Sequence, residues 1–351
     1  MNKTKITDRY DASQDNPTYE KLIQIGEITD ETGKVPITPH DLPEGLNNIV
    51  YVKSGSGYYD VWRSNAQKMV RRGNERGALK SLYEIIETGD VFCSNIFNRF
   101  FHVMVSEDIG WAEPQLPSYV VSLVKRYHQN KSVDRSFLEE IVRGVQVLAR
   151  CRKSRYVDYL FSYAKKCLNN RVITTPNNLL IEMLENSKSQ IITRVIAILL
   201  LDGSNEKITT SSTTDKRLVR RRRAVFLAWQ YLLDVATPRI KKQVDALLDI
   251  YLLSDSESIL CLIHAFILVY AEDKGILVWK DLPVVETSPS WEEIASWEIW
   301  PDASAYDKHT RIGRFLGRGV DWFYRYGGKI ANGVEEYEEE ELKAMTCLLS
   351  N

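Results

Sequence analysis

The sequence predicts an all-α protein: antiparallel helices in two packed subdomains, preceded by an extended N-terminal arm. Three observations predict it. Apolar residues recur at helical spacing, in Leu79, Leu82, Tyr83 and Ile86 and again in Phe92, Ile96, Phe97, Phe100, Phe101 and Met104. Gly73, Gly89 and Gly110 stand just past such stripes, where a left-handed residue closes a helix. The breaks between stripes are short, which suits antiparallel neighbours.

Taken in order, residues 1–56 are polar and carry Pro36, Pro39 and Pro43 without periodicity, so they read as an extended arm. Ile49-Val50-Tyr51-Val52 is a short strand or a docking point for that arm. Ser54-Gly55-Ser56-Gly57 is a flexible joint. The helical body then fills residues 57–203, with further helices at 118–130 and around the stripe Phe137, Leu138, Ile141, Val142, Val145 and Leu148, which Ser132 or Asp134 caps. Tyr156, Leu160, Tyr163 and Cys167 form another helical face, and Thr174-Thr175-Pro176 starts the next helix. A polar loop near 203–214 marks a seam, so residues 204–351 form the second subdomain. It holds three helices, at 215–235, 240–254 and 256–271, with Ser256 as a possible cap. Trp279, Trp291, Trp297 and Trp300 then close its core as a C-terminal cap, the alternative being that they stack bases or anchor a partner, before the acidic run 335–341.

Composition narrows the function classes. With 44% apolar and 26% charged residues over 351 positions, the chain can build a substantial core. A formal net charge of -1 makes the whole molecule no magnet for polyanions, so such binding needs a local patch. Five scattered cysteines without a C-x-x-C pair argue against structural zinc and for a reducing compartment, cytoplasm or nucleus. The histidines (His40, His102, His128, His264, His309) have no metal-ligand spacing, so no metal and no cofactor are expected. Residues 1–10 are too polar for a signal peptide, and the apolar runs near 195–201 and 259–270 are too short to span a bilayer.

One region carries a resemblance. Tyr58-Tyr59-Asp60, Arg72-Gly73-Asn74 with Ala78-Leu79, and Ser106-Glu107-Asp108-Ile109-Gly110 with Ala112 and Pro114 are followed by Leu148-Ala149-Arg150 and Lys153-Ser154. Over about residues 50–168 this resembles the helical segment after the ATPase core in the replication-associated recombination ATPases, the RarA/MgsA family that includes the Werner-helicase-interacting protein. The resemblance implies a fold similar to the clamp-loader collar, which holds that family's subunits together as tetramers. It makes Tyr59, Asp60, Gly73, Ser106, Glu107, Asp108, Gly110 and Pro114 the motif residues. ATP hydrolysis does not carry over, because the residues before the joint are too few for a motor domain and no G-x-x-x-x-G-K-[ST] occurs.

Candidate sites stand beside plainer readings. Lys216, Arg217, Arg220, Arg221, Arg222 and Arg223 put six cations in eight positions, either a phosphate-binding patch or a solvated helix start paired with internal acids. Arg311, Arg314 and Arg318 fall at i, i+3, i+7 beside His309 and Gly313, Gly317 and Gly319. They either meet a phosphate or bridge to 335–341 while the glycines pack tightly. Ser106 lies one turn from His102, but a cap formed by Ser106 or Asp108, with Glu107 paired to a cation, outranks catalysis there.

The leading expectation is a non-enzymatic assembly or adaptor protein, a homo-oligomer or a component of a DNA replication or repair complex, with DNA as a candidate partner and no membrane. The alternatives are a nucleic-acid-binding module using 216–223, and a structural protein of a larger particle such as a virus.

Overall fold

The computed structural model describes residues 28–30, 33–35, 59–168, 177–186, 191–202, 214–253, 259–310, 313–314 and 317–330. Among these the protein is all-α; the exception is a small antiparallel ribbon, β1 (Ile28–Asp30) and β2 (Gly33–Val35), with Ile28 opposite Val35. The run Ile49-Val50-Tyr51-Val52, the loop 203–213, Ser256 and the acidic run 335–341 lie outside the described residues.

The chain folds into two compact units, each assembled from separated stretches. The first takes residues up to Ile96, Lys131–Cys151 and Pro283–Glu335; the second takes Phe97–Asn130, Arg152–Leu282 and the C-terminal remainder. Residue 203 falls inside the second unit, with helices of that unit on both sides of it.

In the first unit, α1 (Tyr59–Arg71) and α2 (Glu75–Glu87) form a hairpin. Gly73 takes φ 67°, so its N–H reaches Val70 O at 3.0 Å while Asn74 N–H reaches Met69 O at 2.8 Å. This paired closure needs a left-handed residue, which glycine supplies without steric cost. The Asn74 side chain then accepts from Gly77 N–H and starts α2. After α3 (Asp90–Asn95) the chain leaves this unit.

In the second unit the chain passes through π-helical turns at Ile96–Phe100 and Met104–Ile109 and through α4 (Leu116–Asn130). It returns to the first unit for α5 (Arg135–Arg150), where Asp134, one of the two expected caps, accepts from Phe137 N–H at 2.8 Å. Phe137, Ile141, Val142, Val145 and Leu148 are buried, as their spacing predicts, while Leu138, placed on the same stripe, is half-buried at its margin.

The second unit resumes with α6 (Tyr156–Leu168), α7 (Asn177–Glu185), α8 (Ile191–Asp202), α9 (Thr214–Val235), α10 (Pro238–Leu253) and α11 (Ile259–Asp273). Helix α11 is apolar all round and is buried continuously from Ile259 to Leu268, the pattern of a central helix. Helices α6, α8, α9 and α10 pack against it. The first unit closes with the short α12 (Trp291–Ser296), capped by Ser290, a 3-10 turn at Ala303–Ala305, a helical turn at Val320–Trp322 and a π-turn at Phe323–Gly327.

Two sequence expectations change. On α6 the buried face is Val157, Leu160, Ala164 and Leu168, so the core stripe is rotated by about one residue from Tyr156, Leu160, Tyr163 and Cys167. Tyrosine and cysteine tolerate half-burial, so apolar type alone misplaced the phase. Trp279, Trp291, Trp297 and Trp300 do not close a core; all are half-exposed, and Trp279 belongs to the second unit and the others to the first. Their indoles meet polar partners instead: Trp291 donates to Glu87 at 2.9 Å, Trp279 donates to Glu272 at 3.2 Å, and Arg76 lies 4.8 Å over the Trp297 ring.

Candidate functional site

The motif string Ser106–Pro114 forms a closed joint in the second unit. Its π-turn hands Glu107 and Asp108 to Arg155, at the start of α6, with contacts of 3.6 and 3.4 Å; Asp158 is the third carboxylate on the same guanidinium. Arg155 and Asp108 are almost fully buried. Burial alone would lower the Arg155 pKa, but Asp158, Asp108, Tyr159 and Glu107 outweigh it and hold the charge.

The backbone completes the joint. Asp108 O accepts Ser154 N–H at 3.1 Å, and Trp111 Nε1 donates to Ser154 Oγ at 3.1 Å. Gly110 takes φ 51°, and a Cβ there would sit 3.2 Å from Ser154 O and 3.3 Å from Val157. Both its conformation and this close approach select glycine. Glu113, buried beside Pro114, accepts from Arg152 N–H and Nε, each at 3.0 Å.

Ser106 and Asp108 both sit inside the π-turn, and the following turn, Gly110–Ala112, starts at Ile109 with no side-chain cap; the Asp108 carboxylate meets Arg155 instead. Glu107 does pair with a cation, as expected. The Ser106 hydroxyl donates to Cys261 Sγ at 3.4 Å rather than being activated by His102. Burial pushes the Cys261 thiol up to about 12 and lowers His264, on the same helix, to about 3. Both groups are neutral near pH 7.

A second ionic cluster lies in the first unit. Lys68 of α1 is buried, holds Asp307 at 2.6 Å and donates to Ser64 Oγ at 2.7 Å. Asp307 Oδ1 also accepts His309 N–H at 2.8 Å and lies 3.0 Å from His309 Nδ1. Burial pushes the Asp307 carboxyl up, but the His309 hydrogen bond and the Lys68 charge outweigh it and leave the pKa well below the usual range. Burial lowers the half-exposed His309, and Asp307 only partly offsets this. The Phe323 ring is flanked by Lys68, Arg71 and Lys308. Arg72 adds an ion pair to Asp302 at 2.6 Å and a bond to Tyr326 O at 2.9 Å.

The arginines beside this cluster are not on one helix. Gly317 takes φ 67° and breaks the path, Arg314 is exposed with Nη1 3.3 Å from Lys308 O, and Arg318 bonds Tyr306 O and lies over the Trp322 ring. Arg311 lies outside the described residues. The close-packing expectation holds at Gly313, where a Cβ would overlap the Asp307 backbone, and fails at Gly317 and Gly319, where a Cβ would meet nothing within 4 Å. Sequence reasoning passed over Arg155, Lys68 and Asp307. The available signal was a charged residue inside an otherwise apolar helical stripe, as at Lys68, or just beyond the motif string, as at Arg155.

Other motif residues are equally structural. Tyr59 is buried under Arg63, and Asp60 accepts Val61 N–H at 3.1 Å in the first turn of α1. The cations 216–223 occupy the N-terminal half of α9, whose other half is anchored by Val225, Ala228, Trp229 and Leu232. The side chains of these cations lie outside the described residues. No group of three or more His, Cys, Asp or Glu able to hold a metal occurs among the described residues, and none of their helices is long and apolar enough to cross a membrane. Comparison with protein-family models, curated proteins and solved structures gave no significant match to the chain.

Proposed function

We propose that this protein is a non-catalytic assembly or adaptor protein, related in architecture to the collar of the replication-recombination ATPases. It self-associates or docks on a DNA replication or repair complex. One observation carries the reading. The motif string that bears the resemblance is consumed by internal contacts, with Glu107 and Asp108 on Arg155, Glu113 on Arg152 and Gly110 beneath Ser154. Residues used this way preserve a fold rather than a reaction, as packing residues of a collar-like element would. The test is the light-scattering mass of the pure full-length chain, with and without DNA, at low and high salt. An assembly that persists in high salt supports the reading; a monomer that joins no replication or repair complex refutes it.

Helix α9 favours a second reading, nucleic-acid binding. Six cations cluster on one half of a helix whose other half is anchored in the core, so the charge is presented by a fixed element. Binding that weakens steeply with salt, without a change in mass of the protein alone, would select it.

A further inference from the structure

In the first unit one turn collects cations around it. From 308 to 329 the sequence holds Lys308, Arg311, Arg314, Arg318, Arg325 and Lys329 against one acid, Asp321. The two acids before them are already paired, Asp302 with Arg72 and Asp307 with Lys68, each at 2.6 Å. Arg314 is exposed, and among the described residues its guanidinium meets a carbonyl and no carboxylate. A guanidinium carries five N–H groups, so that single bond leaves donors for a ligand.

Two carbonyl contacts give the patch its shape. Arg314 Nη1 reaches Lys308 O and Arg318 Nη1 reaches Tyr306 O, each at 3.3 Å, so both guanidinium groups grip the same turn, 306–308. Gly313 permits this, because its missing side chain lets the chain lie against the Asp307 backbone. The Arg318 guanidinium also lies 4.5 Å over the Trp322 ring, and Trp322 lies 5.0 Å from Tyr326. All three side chains are half-exposed. Along the chain between Arg314 and Trp322 stand Gly317 and Gly319, both exposed and with open space where a Cβ would sit, so the backbone there is bare.

Cations beside flat aromatic faces and a bare backbone suit a single-stranded nucleic acid, which offers charge along its phosphates and the faces of its unstacked bases. We propose that this patch binds single-stranded nucleic acid, with Arg314 on a phosphate and the Arg318–Trp322–Tyr326 stack against bases. A duplex hides its base faces and an acidic peptide has no bases, so the aromatic stack separates the three ligands. The exposed glycines let the strand's backbone pass close to the chain. The inference goes beyond both readings above, since it needs neither self-association nor α9, which lies in the second unit.

The experiment follows the fluorescence anisotropy of a labelled oligothymidylate of about 16 nucleotides as the full-length chain is added. The variants are Arg314→Gln, at an exposed side chain, and Gly319→Asp, which sets a carboxylate in open space without a clash. Each should weaken binding at least about threefold, and Arg314→Gln should lower the slope of log K against log salt by about 0.7. Thermal melts of both variants should match the wild type. Trp322→Leu should narrow the preference for the single strand over a duplex of the same length. The part of the binding that depends on Arg314 should survive replacement of Arg220, Arg221, Arg222 and Arg223 by glutamine. No binding, or binding unchanged by both Arg314→Gln and Gly319→Asp, overturns the site. So does a preference for duplex, or displacement by polyglutamate at equal charge concentration. Lost thermal stability with unchanged affinity in Arg314→Gln overturns it too, by assigning that arginine to the acidic run 335–341. None of these outcomes touches the assembly reading, which light-scattering mass decides.

Discussion

Replacing Arg155 with methionine tests the joint around which the motif string folds. Methionine keeps the bulk and removes the charge, leaving three carboxylates around one apolar side chain. Glu107 and Asp158 retain some solvent contact, but Asp108 has none. Breaking a buried pair from one side typically costs about 3–5 kcal/mol. That is a large fraction of the stability of an ordinary domain. Urea unfolding followed by far-UV circular dichroism at pH 7 measures it. Adding Asp108→Asn to Arg155→Met should recover more than half of the loss, while Arg155→Lys should be intermediate, because one ammonium cannot span three carboxylates. A penalty below about 1 kcal/mol at pH 7, or no recovery when Asp108→Asn is added, would refute the reasoning.

Three further outcomes follow from the packing and charge. Phe97 and Phe101 are fully buried and Phe97 stacks on Tyr127 at 4.1 Å, so alanine at either should cost about 3–5 kcal/mol in a denaturant titration. His264 keeps a folded pKa near 3 against an ordinary 6.5, so the unfolded chain takes up its proton first. Stability should therefore decline as pH falls from about 6.5 toward 3, and His264→Gln should flatten that acid limb in thermal melts. Replacing Arg220, Arg221, Arg222 and Arg223 with glutamine should weaken duplex binding, if present, across all sequences, and flatten the slope of log K against log salt by about 0.9 per lost contact. Lost stability with unchanged affinity would assign those arginines to internal carboxylates.

The sequence by itself determined the elements. The stripe Ile96, Phe97, Phe100, Phe101 and Met104 became core, Gly73 closed α1 in the left-handed region, and Asp134 capped α5. Each of these is a local property: helical period, the steric freedom of glycine and the reach of a short carboxylate act within one or two turns. Tertiary structure alone decided what lies far apart in the chain. It brought Asp307 to Lys68, Ser106 to Cys261 and Arg155 to the motif string. It also assembled each unit from stretches that no linear boundary separates. The tryptophans misled for the same reason, since an indole with one polar atom fits a core or a half-exposed seat equally well, and only the neighbours, Glu87 for Trp291 and Glu272 for Trp279, choose between them. Long-range charge pairing carries no period in the sequence, so it became visible only once the fold had brought the partners within about 4 Å.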